Sequence, residues 1–168
     1  DYDPEGRSTI FDQLKKKAKT RFISVGRLDM DSEGLILLTN DGDLARKLEL
    51  PATGWLRKYR VRVHGYVIPK DLEPLKNGII IDGIKYGRIE AALDRQQGSN
   101  AWLTLSFREG KNREVRKVMK HLGYNVNRLI RVSFGPFNLK DLPSGELQEV
   151  KNRVIKDQLS LSKQKNRK

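Results

Sequence analysis

Apolar and polar positions alternate most cleanly over residues 59–67. Tyr59, Val61, Val63 and Val67 fall on one face, with Arg60, Arg62 and His64 on the other, which is the period-two signature of a half-buried strand. Ala101, Leu103, Leu105 and Phe107, interleaved with Trp102, Thr104 and Ser106, predict a second strand of the same kind. Residues 21–25 and 35–39 read as short apolar strands, Leu129 to Phe134 as another, and 146–150 as a last one beyond the breaks at Pro136 and Pro143. The run Ile79-Ile80-Ile81 is bracketed by the turn signals Asn77-Gly78 and Asp82-Gly83. The period turns helical over residues 111–122, where Val115, Val118, Met119 and Leu122 recur at i, i+3, i+4 and i+7 before Gly123 stops the pattern. Two more helices are expected, one capped by Ser8 and running through Leu14 to Lys17, the other near 43–49 after Asn40-Asp41-Gly42. Runs of strands with a few intervening helices predict an α+β fold with a mixed, mainly antiparallel sheet. A chain of 168 residues suits one domain. We place it at 1–150, followed by a basic extension over 151–168 that begins as a short helix and frays into a disordered arm.

Charge sharpens this picture. The chain carries 34 Lys and Arg against 21 Asp and Glu, a formal +13. Residues 108–131 hold eight basic and two acidic residues, and residues 151–168 hold seven and one, so nearly all of the excess sits in two short stretches. Concentrated positive charge points to a polyanion, here nucleic acid. With no Cys and two His, zinc-finger, iron–sulfur, thiol-nucleophile and disulfide chemistry are excluded. The longest aliphatic run, Leu35-Ile36-Leu37-Leu38, is far too short to span a membrane. The chain shows no secretory leader pattern, and the expectation is a cytoplasmic, monomeric protein with no membrane partner.

On a helical wheel, Arg113, Arg116, Lys117 and Lys120 gather opposite the apolar stripe of the 111–122 segment, and Arg128 and Arg131 follow within a few residues. A solvated helix face is the ordinary explanation of such a group. The scarcity of neighbouring acids favours a face that contacts phosphate, for which arginine forks are well shaped. Tyr59, Tyr124 and Phe134 lie near basic residues and have the chemistry to stack on unpaired bases, although each taken alone is more often a core residue.

The loop Asp29-Met30-Asp31-Ser32-Glu33-Gly34 imitates half of a calcium-binding EF-hand. Counted from Asp29, however, the twelfth position is Asn40 rather than the bidentate Glu such a site needs, and the flanks read as strands. A metal-dependent nuclease built on the three carboxylates is a second candidate, but a turn ending in Gly34 would splay them. Turn chemistry accounts for Asp31, Ser32 and Glu33. Asp29, following Gly26-Arg27-Leu28 between two strands, is the carboxylate placed to face a cleft.

Gly26-Arg27-Leu28-Asp29, followed by Ser32-Glu33-Gly34-Leu35 and Leu37-Leu38-Thr39-Asn40-Asp41-Gly42, resembles the catalytic motif of the RsuA-type ribosomal RNA pseudouridine synthases. Lys58-Tyr59-Arg60-Val61 resembles that family's tyrosine strand. Glu109 to Arg116, followed by Arg128-Leu129-Ile130-Arg131, resembles its third motif. The likeness runs from about Gly6 to Val150, with all three motifs in order, and the wording is nearest to the branch acting on large-subunit (23S) RNA. The family's opening Asn-Lys-Pro strand, and a small RNA-binding module of the ribosomal protein S4 type, would lie before Asp1, so the expectation is a catalytic domain without them.

The resemblance implies site-specific isomerisation of uridine to pseudouridine in ribosomal RNA, with a 23S hairpin as the target. The reaction is an intramolecular transfer that needs no cofactor and no metal. By resemblance Asp29 is the catalytic nucleophile, Tyr59 stacks on the target base and helps remove its C5 proton, and Arg116 offsets the Asp29 charge with Arg113 in reserve. Leu129 walls the pocket, and Arg27, Arg113, Lys117, Lys120, Arg128 and Arg131 contact the RNA. A carboxylate suits the scission of a glycosidic bond, and the base must leave its stack to reach it. A non-catalytic RNA-binding or ribosome-assembly factor on the same fold is the alternative, and the intact Asp29, Tyr59 and Arg116 set argues against it.

Overall fold

In a computed structural model of the chain, the described residues are 21–51, 53–111 and 113–157. The helix expected after Ser8 and the far end of the basic extension lie outside them. The chain divides into two compact units, Asp1–Arg27 with Ile36–Thr53 and Leu142–Lys168, and Leu28–Leu35 with Gly54–Asp141.

In the first unit, β1 (Ile23–Val25) pairs antiparallel with β3 (Leu37–Thr39), Val25 opposite Leu37. Helix α1 (Gly42–Glu49) follows, and the Asp41 side chain caps it by accepting from the amides of Asp43 and Leu44 at 2.9 and 3.2 Å. Ala45 and Leu48 form its buried face. The Gly26 amide donates to the Glu49 carboxylate at 2.8 Å, tying the end of β1 to the helix. Residues 152–157 are helical, as expected, whereas residues 146–150 form no strand. Leu147 and Val150 are exposed there, so that stretch has no apolar surface to pair against.

The second unit is built on a six-stranded sheet. Its spine runs β10 (Phe137–Asn138), β9 (Asn125–Phe134), β4 (Arg57–His64), β8 (Asn100–Phe107) and β7 (Glu90–Gln97), all antiparallel, while β2 (Glu33–Gly34) joins β9 in parallel. The sheet is therefore mixed and mainly antiparallel, in agreement with the sequence reading. Val61 and Val63 of β4, Leu103 and Leu105 of β8, and Leu129 of β9 share one face, which helix α2 (Glu114–His121) covers with Val115, Val118 and Met119. A 3-10 segment at Pro69–Asn77 adds Leu72 and Leu75, three residues apart and so on the same side of so tight a helix. The hairpin of β5 (Ile79–Ile81) and β6 (Ile84–Tyr86) turns on Asp82-Gly83, both at positive φ as a type I′ turn requires.

Besides residues 146–150, other elements depart from the sequence reading, and β9 begins at Asn125 rather than Leu129. Strand β7 has no clear sequence signal, because its second half, Asp94-Arg95-Gln96-Gln97, is polar and a bulge at Asp94 breaks the alternation. Strand β4 ends at His64, where Gly65 takes φ +106. Helix α2 starts at Glu114 rather than 111, because Arg113 sits in the left-handed region (φ 50, ψ 35) as its N-cap. That conformation is uncommon for a long side chain, and it moves Arg113 off the helical face on which the wheel places it.

Candidate active site

The acidic loop belongs to the second unit, where β9 holds it in place. A turn closes between Asp29 and Ser32, whose amide donates to the Asp29 carbonyl at 3.0 Å. The chain then adds to the sheet edge, with Glu33 opposite Ile130 and Gly34 opposite Arg131. The Leu35 amide donates to the Arg131 carbonyl at 2.8 Å, and Arg131 Nε donates back to the Leu35 carbonyl at 2.9 Å. Gly34 takes φ +110, and a Cβ there would lie 2.2 Å from the Arg131 carbonyl oxygen. Only glycine lets the two backbones approach this closely.

With the loop fixed, its carboxylates meet guanidinium groups. Arg113 donates to both oxygens of Asp31, at 3.1 and 2.9 Å. Arg116, three residues further along, donates to the Asp31 carbonyl at 2.7 Å and brings its Nε to 3.4 Å from the same carboxylate. The Arg113 bond, aided by the charge of Arg116, holds the Asp31 carboxyl below its ordinary range. Arg128 donates to both oxygens of Glu33 at 2.9 and 3.0 Å, and this pairing lowers the Glu33 carboxyl likewise. Asp29 is different. Its Oδ2 lies 3.8 Å from Arg113 Nη1, and its carboxylate accepts no hydrogen bond among the described residues.

This geometry revises two expectations. Arg116, expected beside Asp29, grips Asp31 instead, and Arg113 is the guanidinium that reaches Asp29. Asp31 and Glu33, assigned to turn chemistry, are ion-paired across the site. Asp29 and Asp31 share Arg113 while Glu33 pairs with Arg128, and among the described residues no group of three His, Cys, Asp or Glu side chains converges as a metal site requires.

The other expected residues spread over the sheet, α2 and the first unit. Tyr59 is half-buried on β4, in register with Arg131 on one side and Leu105 on the other. Its ring stacks on Phe107, centroids 5.3 Å apart and planes 9° from parallel. Leu129 is buried opposite Val61. Arg131 is only 2% exposed, with its guanidinium 5.3 Å from the centre of the Phe134 ring, so it is an interior residue that ties the loop to β9. Lys117 and Lys120 are exposed on α2, and Arg116, Lys120, Tyr124, Asn125 and Val126 line a shallow cavity of ≈ 180 Å³. Arg27 is exposed in the first unit.

Sequence reasoning misses a buried carboxyl at the start of α2, with the half-buried Glu109 as its neighbour. Glu114 is 3% exposed, and neither carboxylate oxygen has a hydrogen-bond partner among the described residues. Burial first, and then the neighbouring Glu109, push its carboxyl up to about 8. Glu109 itself stays below its ordinary range, paired with Lys111 and accepting from the Gly87 amide at 2.6 Å. The sequence signal is slight, since Glu114 is one residue before the apolar Val115 and one turn from Val118.

Comparison with known proteins gives one consistent answer. A family model described as RNA pseudouridylate synthase matches residues 2–121. An RNA pseudouridine synthase of Rickettsia bellii (strain RML369-C) is 46% identical over 154 residues, covering 92% of this chain and 66% of that protein. The ribosomal large subunit pseudouridine synthase B of Pseudomonas aeruginosa is 44% identical over 156 residues, covering 91% of this chain and 40% of its own length. The chain thus spans less than two thirds of either relative. A crystal structure of a pseudouridylate synthase superposes with a TM-score of 0.74 at 27% identity, covering 89% of this chain and 65% of the other.

Proposed function

The chain belongs to the RNA pseudouridylate synthase family, and from that premise we propose that it isomerises uridine to pseudouridine in ribosomal RNA, with a hairpin of the large-subunit (23S) RNA as target. The observation that carries the assignment of the nucleophile is a contrast within one loop. Asp31 and Glu33 are each held by a two-pronged arginine, whereas the Asp29 carboxylate accepts no hydrogen bond among the described residues and has Arg113 at 3.8 Å. A carboxylate with a cation close by stays ionised, and one with its oxygens unoccupied is available to react.

In this reading the N1–C1′ bond breaks with its electron pair leaving on N1, while Asp29 attacks C1′ or stabilises the positive charge that develops there. The released uracil turns over, C5 bonds to C1′, the C5 proton departs and N1 takes up a proton. Atoms and electrons balance without an oxidant or a cofactor. Tyr59, its ring stacked on Phe107, stacks on the extruded base and helps the departure of the C5 proton. Arg116 acts through Asp31 by holding the turn that presents Asp29, and Arg113 links both carboxylates. Leu129 backs the pocket. Lys117 and Lys120, with Arg27 and Arg128, supply phosphate contacts.

The test is tritium release from 5-tritiated uridine in ribosomal RNA, using the full-length protein. Asp29→Asn should reduce turnover by several orders of magnitude, roughly as for other essential nucleophiles, while RNA binding persists. Turnover near that of the parent would overturn the nucleophile assignment. No release by the parent on either ribosomal RNA would favour an RNA-binding factor.

A further inference from the structure

The face of the second unit's sheet that α2 does not cover carries an unusual row of side chains. Across four adjacent strands, Arg128 of β9 stands opposite Arg62 of β4, Arg62 opposite Trp102 of β8, and Trp102 opposite Arg95 of β7. Arg60, two residues along β4, joins them. The guanidinium carbons of Arg60, Arg62 and Arg128 lie 5.2, 5.7 and 6.0 Å from the centre of the Trp102 ring. Like charges directly opposite on neighbouring strands destabilise a sheet, and strands are only about 4.8 Å apart. Two carboxylates offset part of this charge, Asp94 at 3.2 Å from Arg60 and Glu33 on Arg128. Four cations against two anions leaves a net positive face.

The arginines are also held in place. Arg62 Nε donates to the Asn127 side chain at 2.6 Å, and Asn127 donates in turn to Asn100 at 3.0 Å. Neither terminal nitrogen of Arg62 has a hydrogen-bond partner among the described residues, so its outer fork is free for an acceptor. Asp94 is held by the Thr104 hydroxyl at 2.7 Å, which steadies the carboxylate facing Arg60. A converged set of cations, ordered by an aromatic ring and an amide relay, with donors left over, is what a ligand rich in phosphate and flat bases requires. Guanidinium planes and indole rings both stack on unpaired bases, and arginine forks bind phosphate.

We propose that this sheet face, centred on Trp102 and Arg62, is a second RNA-contact surface that takes an unpaired strand and meets the Asp29 loop at Arg128, whose partner Glu33 lies in that loop. An acidic peptide could satisfy the charges but would make no use of the ring, so RNA is the better match. The inference does not depend on the isomerase reading, because it concerns binding alone.

The experiment measures the fluorescence anisotropy of a labelled unpaired oligoribonucleotide, a duplex of equal length and a polyglutamate peptide, titrated at several salt concentrations with the full-length protein bearing Asp29→Asn. Trp102→Ala should weaken binding to the unpaired strand by about fivefold or more, the loss of one stacked base, with little change for the duplex. Arg62→Gln should flatten the log–log salt dependence by about 0.7, the share of one single-strand phosphate. Trp102→Phe, which keeps an aromatic ring and guards against a folding artefact, should retain most of the affinity. Unchanged affinity and salt slope in both Trp102→Ala and Arg62→Gln would overturn the proposal, as would tighter binding of polyglutamate than of RNA. Turnover plays no part in the readout, so failure here and failure of the isomerase assignment are separately visible.

Discussion

Arg113 clasps Asp31 with both terminal nitrogens, and one of these, Nη1, lies 3.8 Å from the neighbouring Asp29 carboxylate. One guanidinium therefore serves two carboxylates with unequal geometry. Asp31 receives the directed hydrogen bonds, and Asp29 receives only the field. Asp31 thereby positions Arg113 without itself needing to touch substrate, and the turn that joins the two acids is held from α2 by Arg116.

Removing that anchor should loosen the nucleophile without deleting it. Asp31→Ala is expected to lower turnover by about 10- to 100-fold, the scale of a misplacement near 1 Å, and so far less than Asp29→Asn. Tritium release at saturating RNA measures both. Equal losses in the two variants would mean that Asp31 is as essential to the chemistry as Asp29 and does more than position Arg113.

Arg116 and Lys120 should separate catalysis from binding. Both line the same shallow cavity, but only Arg116 is bonded to the acidic loop. Arg116→Met should reduce kcat by about tenfold or more while the Kd for RNA moves little. Lys120→Ala should raise Kd and flatten the salt dependence by about 0.7–0.9 for each phosphate that is no longer neutralised. If the two variants shift the same parameter, Arg116 simply binds phosphate as Lys120 does.

Gly34 should not tolerate even a methyl group. Alanine would need φ +110 and a Cβ at 2.2 Å from the Arg131 carbonyl oxygen, so β2 would have to leave the sheet edge. We expect Gly34→Ala to destabilise the protein by about 2–3 kcal/mol in urea melts and to abolish turnover. Native stability with full turnover would show that the loop does not depend on this close approach.

Glu114 should make stability depend on pH in an unusual direction. Its folded carboxyl is raised from an ordinary 4.5 to about 8. The folded state therefore keeps a proton that the unfolded chain releases above about 4.5. The stabilising difference is complete below that pH and is lost as pH rises towards 8, at roughly 1.4 kcal/mol per pH unit for one proton. Asp31, Glu33 and Glu109 are shifted downwards, so their contributions change below the ordinary carboxylate range, whereas that of Glu114 changes above it. Urea midpoints at about pH 5.5, 7 and 8.5 should fall in the parent and stay level in Glu114→Gln, whose amide does not ionise. Parallel pH profiles would remove Glu114 as the titrating group.

Elements with a local cause were legible in the order of residues. Period-two alternation located β4 and β8, the i, i+3, i+4 spacing located α2, and Asp82-Gly83 located a hairpin turn, because each depends on backbone preferences and on which neighbours share a face. The ordered motifs around Asp29, Tyr59 and Arg116 made the family legible for the same reason, as strings of adjacent residues. Which acid meets which base was settled only by folding. Arg113 lies 82 positions from Asp31, and Arg128 lies 95 from Glu33, and no local pattern encodes pairings over such separations. They follow from the parallel addition of β2 to β9, which Gly34 permits by having no Cβ, and from the left-handed turn at Arg113 that takes it off the helical face. Burial was hidden in the same way. Arg131 and Glu114 look like surface charges in the sequence, and only the closing of the sheet and α2 around them takes them out of water.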